Sequence, residues 1–520
     1  MKPTLFFLCL IATMGLLLSC NDSDVKISLR RLKFDIQIIP EPCETNMQNG
    51  YFLLNSNITI HADNEFGDIS SHTDMIKKRI NEQLGNGSKG DNIDFNIIYK
   101  PTLGDESYKL SLNDNLIQLH ASTKKGIFYG MQTFFQLFFS MTDNQLPFLS
   151  IEDSPRFSHR GLMIDPARHF IPIDDIKSFI DIMSFYKFNK LHIHLSDDEG
   201  WRVEIKGLPE INSKGATSQT YGEKRGLYTQ NELIDLVKYA ADREIEIIPE
   251  IDIPGHNSYI ASIFQEMKCT GPTHMNTQLC AGNDKVLDFM EIVISELADI
   301  FPSPHFHIGG DEVSIETMKG CKVCQDKMKQ LGFIKEEQLL SHLFKNTSKI
   351  LEKHNKNPMF WFDFDIMDYP TNSTVYSWIK ERSPEAITIS GNKGYKLICS
   401  PDEHSYFNYP QAWEGELPFD NRGMPAIALF DVYHFEPTYG LSSKQNSNII
   451  GVEALLWSEY ITSADILFYM TYPRAIAFSE VGWSNPEKKN WSKFTQKIKN
   501  HLKYLSQKGI VYGIPSELKL

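Results

Sequence analysis

His305-Phe306-His307-Ile308-Gly309-Gly310-Asp311-Glu312 is a short apolar run that ends in two glycines and two adjacent carboxylates. Its first five residues read as a β-strand. The glycines let the backbone turn out of the strand and let another group approach closely. Adjacent acids disfavour each other's charge where water is scarce, so a carboxyl pair at a strand end is a candidate for acid/base work with separated pKa values. A solvated turn would carry the same letters. What separates the two readings is whether other strands along the chain end in the same way.

Seven further stretches read as strands: Gly161 to Asp165, Lys190 to Leu195, Glu246 to Ile251, Met359 to Phe364, Thr374 to Trp378, Tyr395 to Ser400 and Ile449 to Leu456. Helical periodicity runs over Asp174 to Tyr186, Asn231 to Arg243, Asp284 to Phe301, Glu336 to His354 and Ile466 to Phe478, the first with an acidic cap. Strands alternating with helices predict an α/β catalytic domain, a (β/α)8 TIM barrel over 155–510. No helix is evident after the sixth strand, and 402–447 reads as a long insertion before the eighth. A barrel of this kind gathers functional groups just past the C-terminal ends of its strands. Arg168 stands there after strand one, Asp197-Asp198 after strand two, and Asp252 to His256 after strand three. Asp311-Glu312, Trp361 with Asp363, Trp378, Tyr406 with Asn408, and Trp457 with Glu459 follow in turn. Eight strand ends delivering polar or aromatic groups to one rim make a site.

Ahead of the barrel, residues 35–150 predict a small α+β domain, with strands over Tyr51 to His61 and Tyr108 to Leu119 and a helix over Gly126 to Phe139. Ser154-Pro155-Arg156 marks the boundary. At the N-terminus, Lys2 precedes an apolar run from Leu5 to Leu18 that ends Leu17-Leu18-Ser19-Cys20. This reads as a secretory signal and resembles a bacterial lipobox over 1–20, with Cys20 as the lipidated residue and 21–34 as a tether. An ordinary signal peptide with an incidental Cys20 is the alternative. The lipobox reading implies export and a lipid anchor in the bacterial envelope. The 520 residues carry a net charge of -14 with no basic stripe, which argues against nucleic acid as a partner.

The remaining cysteines suggest little. Cys269 and Cys280 could close a short loop as a disulfide. Cys321-Lys322-Val323-Cys324 could be half a zinc site or a redox pair, but no second C-x-x-C stands at zinc spacing, which favours a local disulfide or plain thiols. No metal and no cofactor are expected.

Tryptophans and a tyrosine beside carboxylates suit a carbohydrate pocket, because sugar C–H faces pack on indole rings while hydroxyls need charged or amide partners. Core packing is the competing account of each tryptophan. Glycoside hydrolysis needs an acid for the leaving oxygen and a second group to stabilise positive charge at the anomeric carbon. Asp311 and Glu312 are too close in sequence to flank a sugar as an ordinary pair. Successive strand side chains point to opposite faces, so the two acids should do different jobs.

The run Arg160-Gly161, Asp165, Arg168-His169-Phe170, then His192-Ile193-His194-Leu195-Ser196-Asp197-Asp198 and Pro249-Glu250-Ile251-Asp252-Ile253-Pro254-Gly255-His256, carries a family pattern. Gly309-Gly310-Asp311-Glu312, Trp361, Trp378, Tyr406-Phe407-Asn408 and Trp457-Ser458-Glu459 continue it in order. The chain resembles family 20 glycoside hydrolases, the β-N-acetylhexosaminidases, over nearly all of its length. The resemblance implies exo-acting, substrate-assisted, retaining hydrolysis of glycans with terminal β-linked N-acetylhexosamine. It implies Glu312 as general acid and base, Asp311 orienting the 2-acetamido group, and Tyr406 binding its carbonyl oxygen. It further implies Trp361, Trp378 and Trp457 as walls, Arg168 and Glu459 as hydroxyl binders, and Asp197, His256 and Asn408 in support. Three departures touch supporting positions: Glu199 where the family usually has Gln, Met318 where a Trp is common, and Pro166-Ala167 before Arg168.

Two rival readings remain. A zinc amidohydrolase would use His192, His194, His256, His307 and Asp311 as ligands. His192 and His194 fall within a strand, with Asp197 at the rim, and satisfied interior histidines are the better account of both. A non-catalytic glycan-binding lipoprotein would have no need of an acid beside an acetamido site.

Overall fold

A computed structural model describes residues 34–85, 90–213, 226–272, 277–363, 368–411 and 424–518. The signal segment with Cys20, and Phe364 at the expected end of the fifth barrel strand, lie outside them. No helix among the described residues is long and apolar enough to cross a membrane.

The N-terminal part is a six-stranded sheet of β1 (Glu44–Leu53), β2 (Ile58–Ala62), β3 (Ile93–Tyr99), β4 (Tyr108–Asn113), β5 (Leu116–Ala121) and β6 (Gln145–Asp153), in the order β1-β6-β4-β5-β3-β2. The β1, β6, β4 and β5 pairings are antiparallel, whereas β5, β3 and β2 run parallel. In β4 and β5 buried residues alternate with half-buried ones, so one face is the core face. The helix Lys124–Gln136 covers that sheet and continues as a tighter turn to Ser140.

Two expected strands each divide. Tyr51 to His61 breaks where the Asn55 side chain accepts the Asn57 N–H at 2.8 Å, a local turn that competes with the ladder. Tyr108 to Leu119 is a hairpin folded at Asp114-Asn115. Asn115 takes the left-handed backbone, at φ 51°, that asparagine tolerates. The strands β3 and β6 and the helix Ser70–Leu84 had no counterpart in the sequence reading.

The barrel closes from β7 (His159–Ile164), β8 (Lys190–His194), β9 (Glu246–Glu250), β10 (His305–His307), β11 (Asn357–Trp361), β12 (Thr374–Ser377), β13 (Lys396–Cys399) and β14 (Ile449–Leu456). Every neighbouring pair is parallel, and β14 returns to β7 with Gly451 opposite His159 and Leu456 opposite Ile164. The fold is therefore a TIM barrel behind a small α+β domain. A helix does follow the sixth strand, Ser383–Lys393, with Pro384 in its first turn, where a missing N–H costs nothing. The expected helix Ile466 to Phe478 is two helices, Ala464–Thr471 and Arg474–Trp483. Pro473 between them can neither donate to the ladder nor clear the preceding turn. The helix Asp174 to Tyr186 begins at Ile173 after Pro172, with Asp174 and Asp175 in its first turn rather than as a side-chain cap. A final helix, Trp491–Gln507, was not anticipated.

One carboxylate joins sheet to barrel. Asp153, at the end of β6, accepts from Lys187 Nζ at 2.9 Å, Tyr108 Oη at 2.6 Å and Trp483 Nε1 at 3.0 Å, all buried. Arg160 on β7 reaches back to Glu106 at 2.8 Å. Truncating one partner of a buried pair strands the other charge, which costs about 3–5 kcal/mol. Asp153→Ala is expected to lose about that much stability, read as a lower denaturant midpoint. Asp153→Leu combined with Lys187→Met should lose less, since no orphaned ammonium remains. An Asp153→Ala midpoint equal to wild type would remove the pair from that role.

Candidate active site

The barrel interior is polar. Glu453 on β14 accepts from His159 Nε2 at 2.7 Å and His192 Nδ1 at 2.8 Å. Above it, Glu250 on β9 lies 3.2 Å from His192 Nε2 and 2.8 Å from His307 Nδ1. Glu250 also accepts the Trp361 indole N–H at 2.7 Å and pairs with His194 Nδ1. His194 Nε2 in turn meets Asp197 at 2.8 Å. All of these side chains are buried. Burial alone would drive both the acids and the imidazoles to their neutral forms. Their mutual attraction outweighs it for Glu453, held at about 2, for Glu250, held well below the carboxylate range, and for His192, raised to about 9. His194 is raised as well, whereas burial keeps His159 and His307 low and neutral. His192 and His194 each stand between two carboxylates that favour the imidazolium form. The five residues of the amidohydrolase set do not gather around one point: His192 groups with His307 and Glu250, His256 with Asp311 and Asp252, and His194 with neither.

The column ends at the rim. Asp197, just past β8, is held ionised against burial by Arg168 at 2.7 Å and by His256 at 3.2 Å. Arg168 also pairs with Asp165 at 3.1 Å and with Glu199 at 3.3 Å, and lies over the Trp457 ring at 5.0 Å. Burial raises Glu199 to about 7 despite Arg168, so near neutrality it approaches the uncharged amide that Gln would supply. Arg202 holds the loop below Arg168 through the carbonyls of Pro166 at 2.6 Å and Ala167 at 2.9 Å.

The two glycines of the opening motif are required by crowding. A Cβ at Gly309 would lie 1.9 Å from an Asp252 carboxylate oxygen, and one at Gly310 would lie 2.8 Å from the Phe344 ring; both have positive φ. The turn they permit sends Asp311 inward and leaves Glu312 with its side chain 41% exposed. Glu312 and His256 both carry positive φ, 52° and 51°, a costly conformation for residues with side chains. They face each other at 3.4 Å between Oε2 and Nε2, while Asp311 lies 3.8 Å from the same nitrogen. The Glu312 N–H is fixed by Asp363 at 2.9 Å.

The pair is electrostatically divided. Burial, with Glu250 and Glu312 nearby, pushes Asp311 up to about 7 against the pull of His256. The His256 hydrogen bond draws Glu312 below its ordinary value. Burial and Asp311 push the neighbouring Asp252 up as well, so the free site favours protons on the buried acids, Asp311 and Asp252, over Glu312.

Arg168, Asp197, His256, Asp311, Glu312, Trp378, Tyr406, Asn408, Trp457 and Glu459 line one cavity of about 250 Å³. Trp361 does not line it. It lies beneath, 5.7 Å from the Trp457 ring, and anchors on Glu250. The side-chain period of a strand set its direction but not its depth. Tyr409 and Met424 complete the lining without having been singled out; Asp252, named at the end of strand three, lines it too, as does His194, which the sequence reading left inside its strand. Arg474 was missed too. Fully buried, it donates to the carbonyls of Phe407 at 2.7 Å and Tyr409 at 2.9 Å and so holds the loop bearing Tyr406 and Asn408.

Volume alone does not mark this cavity, since a cleft of about 370 Å³ beside Arg79 and Phe135 is larger. Unpaired polar atoms do. Asp252 Oδ2, Asp311 Oδ1, Trp378 Nε1, Asn408 Oδ1 and Glu459 Oε2 are buried around it without a hydrogen-bonding partner among the described residues. Each such group costs about 1–3 kcal/mol unless a ligand or an ordered water satisfies it.

Residues 157–486 match the profile described as the glycosyl hydrolase family 20 catalytic domain, and residues 35–154 match that of the family's domain 2. A beta-hexosaminidase of Akkermansia muciniphila is 35% identical over 78% of this chain and 85% of its own length. One of Porphyromonas gingivalis is 29% identical over 99% of this chain and 69% of its own. Among solved structures, a GH20 exo beta-N-acetylglucosaminidase from Vibrio harveyi in complex with N-acetylglucosamine superposes with a TM-score of 0.83 at 27% identity, covering 92% of this chain and 79% of that one. With the catalytic-domain match spanning the barrel and relatives of this identity and coverage, the chain belongs to glycosyl hydrolase family 20.

Proposed function

We propose that the chain is an exo-acting, retaining β-N-acetylhexosaminidase that removes terminal non-reducing β-linked GlcNAc or GalNAc from glycans. The observation that carries this reading is the ring of unpaired polar atoms around a small cavity with indole walls. It suits one sugar ring whose hydroxyls and amide supply the missing partners. Arg168 and Glu459 suit the outer hydroxyls, Trp378 and Trp457 the sugar faces, and Trp361 supports Trp457 from below.

In the proposed reaction Tyr406 and Asp311 hold the substrate's 2-acetamido group, Tyr406 by its carbonyl oxygen and Asp311 by its N–H. That oxygen attacks the anomeric carbon as the glycosidic bond breaks, and Glu312 gives its proton to the departing oxygen. The product of this step is an oxazolinium ion. Glu312, now a carboxylate, takes a proton from water, whose oxygen adds to the anomeric carbon from the face the leaving group vacated. The bond to the acetamido oxygen breaks as it does so, restoring the acetamide and the β-configuration. The proton must move for this to start, because the free site favours it on the buried acids over Glu312. An amide N–H directed at Asp311 stabilises that carboxylate, and a sugar covering Glu312 removes its water, so binding transfers the proton from one acid to the other.

Export is part of the same proposal. Lys2, the apolar run and Leu17-Leu18-Ser19-Cys20 support a lipid anchor on Cys20 in a bacterial envelope. Radiolabelled fatty acid should enter the wild-type chain in a bacterial host and not Cys20→Ser; equal labelling of both would refute the anchor.

Glu312→Gln should lower turnover about 10²–10⁴-fold on a substrate with a poor leaving group, with an unchanged circular dichroism spectrum. A wild-type rate would take Glu312 out of the role. The pair also sets a pH profile. Below Glu312's depressed value the pair holds two protons, between that value and about 7 it holds one, and above about 7 none. The productive form has one, so kcat/KM should fall as pH rises through about 7. In Asp311→Asn the remaining proton belongs to Glu312 beside His256, and the alkaline fall should move to lower pH. An alkaline limb that stays at about 7 in the variant would overturn this division.

A further inference from the structure

Four cysteines that looked unrelated in the sequence meet in one place. Cys269 and Cys280 lie on the loop that follows β9, at the two sides of a short antiparallel contact in which Lys268 pairs with Leu279. Their backbones are tied across it, Cys269 N to the Gln278 carbonyl at 3.0 Å and Cys280 N to that of Met267 at 2.7 Å. Cys321 and Cys324 lie on the loop that follows β10, where Cys321 precedes and Cys324 opens the helix Lys322–Leu331. All four are buried. Their sulfurs lie within 4.8 Å of one another, with separations of 3.8 Å between Cys269 and Cys324, 3.7 Å between Cys280 and Cys321, and 3.5 Å between Cys280 and Cys324.

Four thiolates around a tetrahedral zinc ion at about 2.3 Å stand about 3.8 Å apart. A disulfide needs about 2.05 Å. A buried cysteine acting as a small apolar residue packs against carbon; here each sulfur faces the others around one point. The approach is close enough that a Cβ on Gly282 would lie 2.8 Å from the Cys324 Cα. Four soft thiolates in tetrahedral array select zinc over the hard oxygen-seeking cations. Cys321 is the residue that caps the helix Lys322–Leu331, and the N-terminal end of a helix favours anionic sulfur.

We infer that Cys269, Cys280, Cys321 and Cys324 bind a structural zinc ion that clamps the loop carrying Asp252 and His256 to the loop carrying Asp311 and Glu312. This departs from the expectation of no metal, which rested on ligand pairs at one spacing. The reading as two independent local pairs is likewise replaced. Beside the clamp, Gln278 accepts the Ser314 N–H at 2.8 Å and returns a bond to its carbonyl at 3.3 Å, two residues beyond Glu312. The ion has no open coordination position and takes no part in the hydrolysis; the four cysteines are positioning residues.

The test is the metal content of the mature chain, purified without chelators or a metal-affinity tag. Elemental analysis should find close to one zinc per chain, and Cys43→Ser should leave that unchanged. Cys321→Ser and Cys324→Ser should each lose most of it. Because those variants could fail to fold, cobalt substitution of the wild-type chain supplies an independent readout. Tetrahedral cobalt thiolate should give visible d–d bands and near-ultraviolet sulfur-to-metal charge transfer. A metal-free native chain whose four thiols react freely after denaturation would overturn the inference. So would an intact mass lowered by two hydrogens per bridge, which would mean that the same cluster forms disulfides.

Discussion

Glu250 and Glu453 are carboxylates inside a closed barrel, and the site above them depends on how their charge is answered. Removing such a group from water costs several kcal/mol even after relaxation. That cost is tolerated only where geometry supplies opposite charge and hydrogen bonds together. Here the answer is an alternation along the barrel axis of Glu453, His192, Glu250, His194 and Asp197. Each charge fixes the next. Because His194 faces Glu250 on one side, its other nitrogen must serve Asp197, and Asp197 is then committed to Arg168 and His256. The rim is oriented from below by electrostatics, not only by the strand ends that carry it.

The same alternation decides where the catalytic proton rests. His256 is the last cation in the series and lies nearer Glu312 than Asp311. It therefore stabilises the exposed carboxylate and leaves the buried one to keep the proton. Strain is concentrated at the same contact, since His256 and Glu312 both hold a positive φ. Two such residues cost about 1–3 kcal/mol each and persist only where the surroundings over-determine them. The Asp363 hydrogen bond to the Glu312 N–H and the crowding at Gly309 and Gly310 provide that determination.

Much of this was legible in the chain. β14 begins and ends where the apolar run Ile449 to Leu456 does, and the polar group after each strand pointed to one rim. Patterns failed where they could not see a partner. The reading ran one long strand across the β4–β5 hairpin because each half alternates, although the buried positions shift from 108, 110 and 112 to 117, 119 and 121 across Asp114-Asn115. The helix from Ile466 ran past Pro473 because its apolar face continues on both sides of the break. The family resemblance implied Trp361 as a wall, and its place at a strand end gave a direction inward but not a height in the barrel. Glu250 stood inside a quoted motif and Glu453 inside a recognised strand, yet neither drew attention as a charge. Only the cross-barrel register brings them to the histidines.

The cysteine cluster belongs with these long-range failures, and it also explains a mechanical difficulty. His256 and Glu312 come from different strand loops, each of which passes through short helices before a long one. These are Ser258–Ile263 before Lys285–Ile300 in one, and Ile315–Gly320 and Lys322–Leu331 before Glu336–Lys353 in the other. The column of charges constrains them through Asp197, but that constraint acts on one end of each loop only. A second tie is needed on the far side if a contact between two strained residues is to keep its geometry while the proton moves between acids. Cys269 and Cys280 on one loop and Cys321 and Cys324 on the other stand where that tie has leverage, with the Gln278–Ser314 pair between them and the acids. A metal suits the task better than a single disulfide. It fixes four chain positions at once, so the two loops are held in mutual orientation and not merely at a distance.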